Sequence, residues 1–300
     1  MHDEVRPLSR SLLKGIRILH RLRVRGIGRL FMMIARHNPR LHAVPVPMED
    51  GRTLFLDLRD PYQIPYFLDG RIPWEQGETQ FVRKVVRSGD VVVDGGAYVG
   101  WYTTLLAELV GPHGKVYAFE PNAHVYRLLA RAAGKYNQVR VMCAALGQGD
   151  EETVLYVPPA DSWKASLTPL VPPSETQKCR VVALDEVVGA DNPVFVKLDI
   201  EGAELEALQG ARGILESPFP PIWMVEVSPE NLRRFGRRPE DLFRFFEAFP
   251  QAEYTPFRIR SYDGFCEPLA LLPPEGMNSM FYAAFIPKWL SHRVEGLVIS

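Results

Sequence analysis

Four acids, Asp94, Glu120, Asp199 and Glu226, stand at or beside the ends of short apolar runs: Val91 to Val93, Lys115 to Phe119, Val194 to Leu198 and Ile222 to Val227. Runs of that length and β-branched content read as buried strands. In an open α/β sheet, ligands collect beyond the carboxyl ends of the strands, so the four acids are candidate neighbours along one edge. Carboxylates gathered there suit a ligand that carries cationic groups and a ribose diol. A carboxylate within hydrogen-bond reach of a hydroxyl can also act as a general base. Asp199 and Glu201 are the best-placed bases, with Glu226 behind them, and Lys197 could orient a carboxylate or stabilise developing negative charge. Each has a plainer role available: Glu201 could cap the next helix, and Glu204 could sit on its first turn, where negative charge suits the dipole. Asp199, Glu201 and Glu204 are oxygen ligands of the kind magnesium or calcium prefers, but three acids at one turn do not define an octahedral site, and no metal is assigned.

The elements that must position these acids are clearest between Val91 and Asn122. A buried strand ends at Asp94, and Gly95, Gly96, Ala97 and Gly100 follow, where the backbone can turn sharply and approach a ligand. A helix from about Trp101 to Val110 stops near Gly111 and Pro112, and the strand Lys115 to Phe119 delivers Glu120 to the sheet edge. Nicotinamide dinucleotides and S-adenosylmethionine both use this unit. A pyrophosphate calls for G-x-G-x-x-G before a bare helix N-terminus, whereas here Ala97 occupies the second glycine position. Asp94 would also place a carboxylate beside the pyrophosphate. S-adenosylmethionine, with an ammonium, a sulfonium and a ribose but no phosphate, suits Asp94 and Glu120.

Three motifs resemble those of the FkbM family of S-adenosylmethionine-dependent methyltransferases. They are DGGAYVGWYT from Asp94 to Thr103, AFEPN from Ala118 to Asn122, and KLDIEGAELEALQGA from Lys197 to Ala211, within a stretch from about Glu78 to Glu226. Tyr98 stands where the family carries asparagine and offers no amide. The resemblance implies a class I methyltransferase with S-adenosylmethionine held by Asp94, Gly95, Gly96, Ala97, Tyr98, Gly100, Thr103, Glu120, Pro121, Asn122 and Asp199. It also implies oxygen as the methyl acceptor, on a sugar, polyketide or related natural product. By resemblance, the loop Pro158 to Ser174 covers the active site and Asn278 matches a terminal asparagine. Ala144 and Ala145, at the end of a strand from Val139, fall where an adenine ring could lie, with plain packing as the other reading.

Further elements continue the alternation expected of a mostly parallel, Rossmann-like sheet: a helix from His124 to Tyr136, one from Ala203 to Leu215, and a phenylalanine-rich one from Leu242 to Phe249. Tyr254 to Ile259 and Met280 to Phe285 read as an antiparallel edge hairpin. Ahead of this domain, Val44 to Leu58 reads as a hairpin around Glu49-Asp50-Gly51. Asp57 to Gly77 is a proline and aromatic loop whose Tyr62, Tyr66, Phe67 and Trp74 could cover a substrate or simply pack. The expected division is residues 1–77 as an extension, 78–290 as the cofactor-binding domain and 291–300 as a tail.

With 300 residues and 46% hydrophobic content, the chain can bury a substantial core. A net charge of −1 gives no general attraction to nucleic acid, and no apolar run is fit to span a bilayer. Three scattered cysteines suggest a reducing compartment, and the amino terminus lacks the order of a secretory signal, so a cytoplasmic location is expected. Ten basic residues from Arg6 to Arg40 precede the next acid, Glu49, on an amphipathic pattern interrupted at Gly26 and Gly28. That pattern suits peripheral contact with a membrane surface or an acidic partner, or a solvated helix packed on the domain. The other partner expected is a small-molecule or glycan acceptor. A noncatalytic S-adenosylmethionine-binding or membrane-associated scaffold is the alternative function, and a nicotinamide-linked oxidoreductase or epimerase is a third. Oligomeric state is not legible.

Overall fold

The computed structural model describes residues 10–22, 26–158, 162–170, 175–269 and 279–299. Asn278, Arg6 and residues 23–25 of the basic segment lie outside this set. The chain begins with two helices, α1 (Arg10–Arg21) and α2 (Ile27–Arg36). Gly26 precedes α2 with φ 88, so the glycine supplies the left-handed break expected there. Strands β1 (Val44–Pro47) and β2 (Thr53–Leu56) pair as an antiparallel hairpin closed at Gly51. Helix α3 (Ile64–Asp69) then interrupts the proline and aromatic loop, and α4 (Gln76–Val85) leads into the sheet.

The alternation that follows is β3 (Val91–Gly95), α5 (Trp101–Val110), β4 (Lys115–Phe119), α6 (Ala123–Ala133) and β5 (Val139–Met142). Asn122 ends the loop before α6 and accepts the His124 N–H at 3.0 Å, an N-cap that starts the helix one residue before the sequence pattern suggested. Strands β6 (Ala145–Leu146), β7 (Glu151–Val157) and β8 (Glu175–Val182) form a separate three-stranded sheet, so the strand expected to run from Val139 to Ala144 stops at Met142 and the chain enters this second sheet at Ala145. After α7 (Leu184–Val187) comes β9 (Phe195–Leu198). The single helix expected from Ala203 to Leu215 is two, α8 (Glu204–Gln209) and α9 (Arg212–Glu216). The break has a packing cause: a Cβ on Gly210 would lie 1.9 Å from the Gly147 carbonyl oxygen, so the backbone there presses directly on the small sheet.

The chain closes with β10 (Ile222–Val227), α10 (Pro229–Arg234), α11 (Pro239–Glu247), β11 (Thr255–Ile259), β12 (Cys266–Pro268) and β13 (Phe281–Ile286). The main sheet runs β12-β11-β13-β10-β9-β3-β4-β5. It is parallel from β10 to β5, while β13 inserts antiparallel between β10 and β11. Its central strands are buried along their whole length, as parallel strands covered on both faces must be. One core cluster joins Val46, Leu54, Leu56 and Phe67 of the extension to Val92 and Tyr282 of the main sheet and to Leu105 of α5. At the same junction Asp57, after β2, pairs with Arg59 and with His124 on α6. Among the described residues, no helix is long and apolar enough to cross a membrane.

Candidate active site

A cavity of about 580 Å³ lies beyond the carboxyl ends of β3, β4, β9 and β10. Gly96, Ala97, Tyr98, Glu120, Pro121, Ala144, Ala145, Lys197, Asp199, Glu201 and Glu226 all line it, so most of the expected site residues share one chamber. Asp94, Gly95, Gly100, Thr103 and Asn122 do not border it.

Asp94 departs most from the sequence reading. Its side chain is fully buried beneath the cavity floor, where it accepts the Thr103 hydroxyl at 2.6 Å and lies 3.9 Å from the Lys197 ammonium. Thr103 and Asp94 therefore secure each other beneath the glycine-rich turn. Burial pushes Asp94 upward against the pull of Lys197. Lys197 itself, which burial would depress, is held above the ordinary lysine range by Asp199 and Asp94. Its nearer partner is Asp199, at 2.9 Å. Asp199 also accepts the Tyr282 hydroxyl at 2.7 Å, so a lysine on β9 and a tyrosine on the inserted strand β13 fix its carboxylate at the cavity wall.

Gly96 is required by a neighbouring strand as well as by the space above it. At φ 74 it faces the Asp199 carbonyl so closely that a Cβ would sit 1.8 Å from the oxygen. Gly100, also at positive φ, packs against Leu129 of α6. Tyr98 adopts φ 48, a conformation asparagine tolerates better than tyrosine. Its backbone N–H donates to Glu120 at 2.9 Å, and its hydroxyl donates to Asp60 at 2.9 Å.

Glu120 takes a second backbone N–H, from Asn122, at 2.8 Å. Each of its oxygens thus has one donor and keeps spare acceptor capacity. Burial raises Glu120 to about 7 despite these bonds. The Asn122 side chain is occupied by the α6 cap. Beside Glu120, Ala144 and Ala145 adjoin Phe119, Leu146, Leu155 and Leu167, forming an apolar slot.

On the opposite wall, Glu201 stands in the turn after β9 at φ 58, followed by Gly202 at φ 106. A Cβ on Gly202 would lie 2.5 Å from the Asn231 carbonyl oxygen, so this turn packs against α10. Asn231 reaches back with its side-chain amide, donating to Glu201 at 3.0 Å and to Glu226 at 3.4 Å. Burial, then the nearby Asp199 and Glu204, raise Glu201 to about 8, and burial drives Glu226 well above the carboxylate range. Neither Glu201 nor Glu204 caps α8, whose start has no side-chain cap; Glu204 instead ties the turn before it, accepting the Ile200 and Gly202 N–H groups at 3.1 and 3.3 Å, and stays outside the cavity. Among the described residues no cluster of His, Cys, Asp or Glu is arranged to hold a metal.

Sequence reasoning missed four side chains. Glu75 lines the cavity between α3 and α4, raised to about 7 by burial and by Asp199. Asp60 bridges Tyr98 and Ser162, Tyr282 fixes Asp199, and Asn231 joins the two glutamates. No motif marked them, although Asp60 and Glu75 lie within the aromatic loop, Asp57 to Gly77, that the sequence did single out. That loop and Trp163 meet at the cavity, where Tyr62 stacks on Trp163 at 4.7 Å and packs on Trp74 at 5.0 Å.

Five parallel strands, a last strand inserted antiparallel between β10 and β11, and a ligand cavity over the carboxyl ends define a class I methyltransferase fold. Residues 94–255 match the family model described as the Methyltransferase FkbM domain. The chain belongs to this family, and its cofactor is S-adenosylmethionine. No curated protein matches the chain. Among solved structures, similarity extends to a precorrin-6y C5,15-methyltransferase from Geobacter metallireducens, with 13% identity over 71% of this chain and 87% of that one and a TM-score of 0.40. A SAM-dependent methyltransferase from Aquifex aeolicus shows 15% identity over 76% and 93%, with a TM-score of 0.38. Aeropyrum pernix fibrillarin, with S-adenosyl-L-methionine natively bound, shows 11% over 70% and 76%, with a TM-score of 0.38.

The residues present fit the cofactor. Glu120 keeps lone pairs for a ribose diol, the slot beside Ala144 and Ala145 is apolar enough for a purine, and Asp199 and Glu75 complement cationic groups. The cavity volume lies within the range of about 300–1,000 Å³ usual for small-molecule sites.

Proposed function

We propose that the chain methylates a hydroxyl oxygen on a sugar, polyketide or related natural product, with Glu201 as general base. The observation that carries this reading is the pairing of Glu201 and Glu226 through one Asn231 amide, at the wall of the cavity that Asp199 also borders. Two carboxyls held together in a buried place do not readily ionise together, so one of them is kept near the operating pH, where a base is most effective. Bound S-adenosylmethionine supplies an electrophilic methyl on sulfur. The Glu201 carboxylate would take the proton of the acceptor hydroxyl as that oxygen receives the methyl group, while Asp199, Glu75 and Glu120 would hold the cofactor, whose sulfur would keep the electron pair of the broken carbon–sulfur bond. The products are a methyl ether and neutral S-adenosylhomocysteine. Lys197 and Tyr282 hold Asp199 against the cationic side of this exchange, and the roof of Tyr62, Trp74 and Trp163 excludes water.

Rings above carboxylates also suit a sugar, whose C–H faces stack on aromatics while its hydroxyls bond to acids. The test is a screen of sugars and polyketide alcohols for S-adenosylhomocysteine formation with the methyl located by mass spectrometry. A methyl ether whose formation Glu201→Gln suppresses is expected. Methylated nitrogen would overturn the oxygen assignment, and binding without turnover on any acceptor would favour the scaffold reading.

A further inference from the structure

The two N-terminal helices dock on the domain with one face and leave an apolar, basic face open. On α1, Ile16 is buried, Arg17 donates to the Phe67 and Pro47 carbonyl oxygens, and His20 lies 3.4 Å from Asp69. At 100° per residue, the opposite side carries Ile18 and, just past the helix, Leu22, which are 56% and 70% exposed. On α2, Ala35 is buried with Ile27, Phe31 and Met32 packed inward, while Leu30 and Met33 are 54% and 64% exposed. Arg29 and Arg36 lie exposed on either side of Met33 on that outer face.

Soluble helices place charge outward and apolar side chains inward, and both helices invert part of this rule. Exposed single apolar residues are ordinary, but here Ile18, Leu19, Leu22, Leu30, Met33 and Ile34 are concentrated in 17 consecutive positions. The charge is as uneven: residues 5–48 hold ten Lys or Arg and no acid, in a chain whose net charge is −1. Apolar side chains flanked by arginines match the acyl boundary and the anionic headgroups of a bilayer surface, with the arginine stems lying along the apolar layer and their heads in the phosphate region.

We propose that α1 and α2 form a docking surface for the anionic face of a lipid bilayer. The helices lie on the surface and do not cross it. Both contact α3, which contributes Pro65 and Tyr66 to the cavity wall, so docking brings the active site within one helix layer of the lipid. This proposal is independent of which acceptor the site takes.

The experiment is cosedimentation of the full chain with phosphatidylcholine vesicles, with and without phosphatidylserine, at low and high salt. Partition onto the anionic vesicles that salt reverses is expected, with a loss of about tenfold or more both in Arg29→Glu/Arg36→Glu and in Leu30→Glu/Met33→Glu. S-adenosylhomocysteine affinity, unchanged in both variants, reports intact folding. Failure of the folded protein to bind, equal binding to neutral vesicles, or binding indifferent to both variants would overturn the proposal. A dimer in sedimentation velocity that either variant dissociates would instead assign this face to a second copy of the chain.

Discussion

Lys197 reaches Asp199 at 2.9 Å from a side chain only 2% exposed, and so joins a buried carboxylate below the cavity to one on its wall. Removing one partner of a buried ion pair strands the other, which typically costs about 3–5 kcal/mol. Lys197→Met is therefore expected to lower unfolding stability by about that amount in urea at pH 7. A loss under about 1 kcal/mol would mean that Asp94 and Asp199 find other partners.

Glu201 is raised to about 8, so at pH 7 the free enzyme holds it mostly protonated and unable to accept a proton. The kcat/KM profile is expected to climb through about pH 8 as the carboxyl ionises. Glu201→Gln should remove that limb and lower turnover by about 10²–10⁴, with cofactor affinity little changed. A mutant that loses affinity and keeps turnover would make Glu201 a cofactor ligand.

Cofactor binding should release protons. Glu75 and Glu120 near 7 bind protons in the empty cavity, and a cationic ligand favours their ionised forms. Titration calorimetry of S-adenosylmethionine at pH 7 in buffers of different ionisation enthalpy is expected to show net release, reduced with S-adenosylhomocysteine, which lacks the sulfonium charge. Equal release for the two would show that the sulfonium does not face these acids.

The same acids, with Glu201, give the ligand-free protein a pH signature. Their pKa values are higher folded than unfolded, so the stability they contribute is complete below about 4.5 and is lost as pH rises through about 7 to 8. The melting temperature should fall between pH 6 and 8.5, as a differential scanning calorimetry series would record, and less steeply in Glu120→Gln.

Tyr98 contacts Glu120 through its backbone and Asp60 through its hydroxyl. Tyr98→Phe should cost about 1 kcal/mol, or roughly 2–4 °C in melting temperature, for the lost buried bond. Cofactor affinity should hold within about twofold. A larger loss of affinity would mean that the hydroxyl, through Asp60 and Ser162, shapes the cofactor site directly.

The sheet was legible because each core strand is a short apolar run between turn signals, as at Val91-Val92-Val93 before Asp94 and Ile222 to Val227 before Ser228. The chamber was legible because strand ends converge in this architecture, which brought Glu120, Lys197, Asp199, Glu201 and Glu226 together from sequence position alone. What pattern could not reveal was direction and long-range contact. Asp94 sits at a strand end like the others, yet it points beneath the floor, because its register partner across β9 is Lys197. The break at Gly210 depends on a backbone more than sixty residues earlier, Gly147. Asp60, Asn231 and Tyr282 act on the site through partners between 30 and more than 100 residues away, at distances no local motif encodes.

The most direct test is calorimetric titration of the wild-type chain and Glu120→Gln with S-adenosylmethionine, S-adenosylhomocysteine and NAD in parallel. Saturable binding of both adenosyl ligands, weakened about tenfold or more by Glu120→Gln, with no heat from NAD, is the predicted result. Unchanged affinity in Glu120→Gln, or binding of NAD alone, would contradict a cofactor seated over the carboxyl ends of β3 and β4.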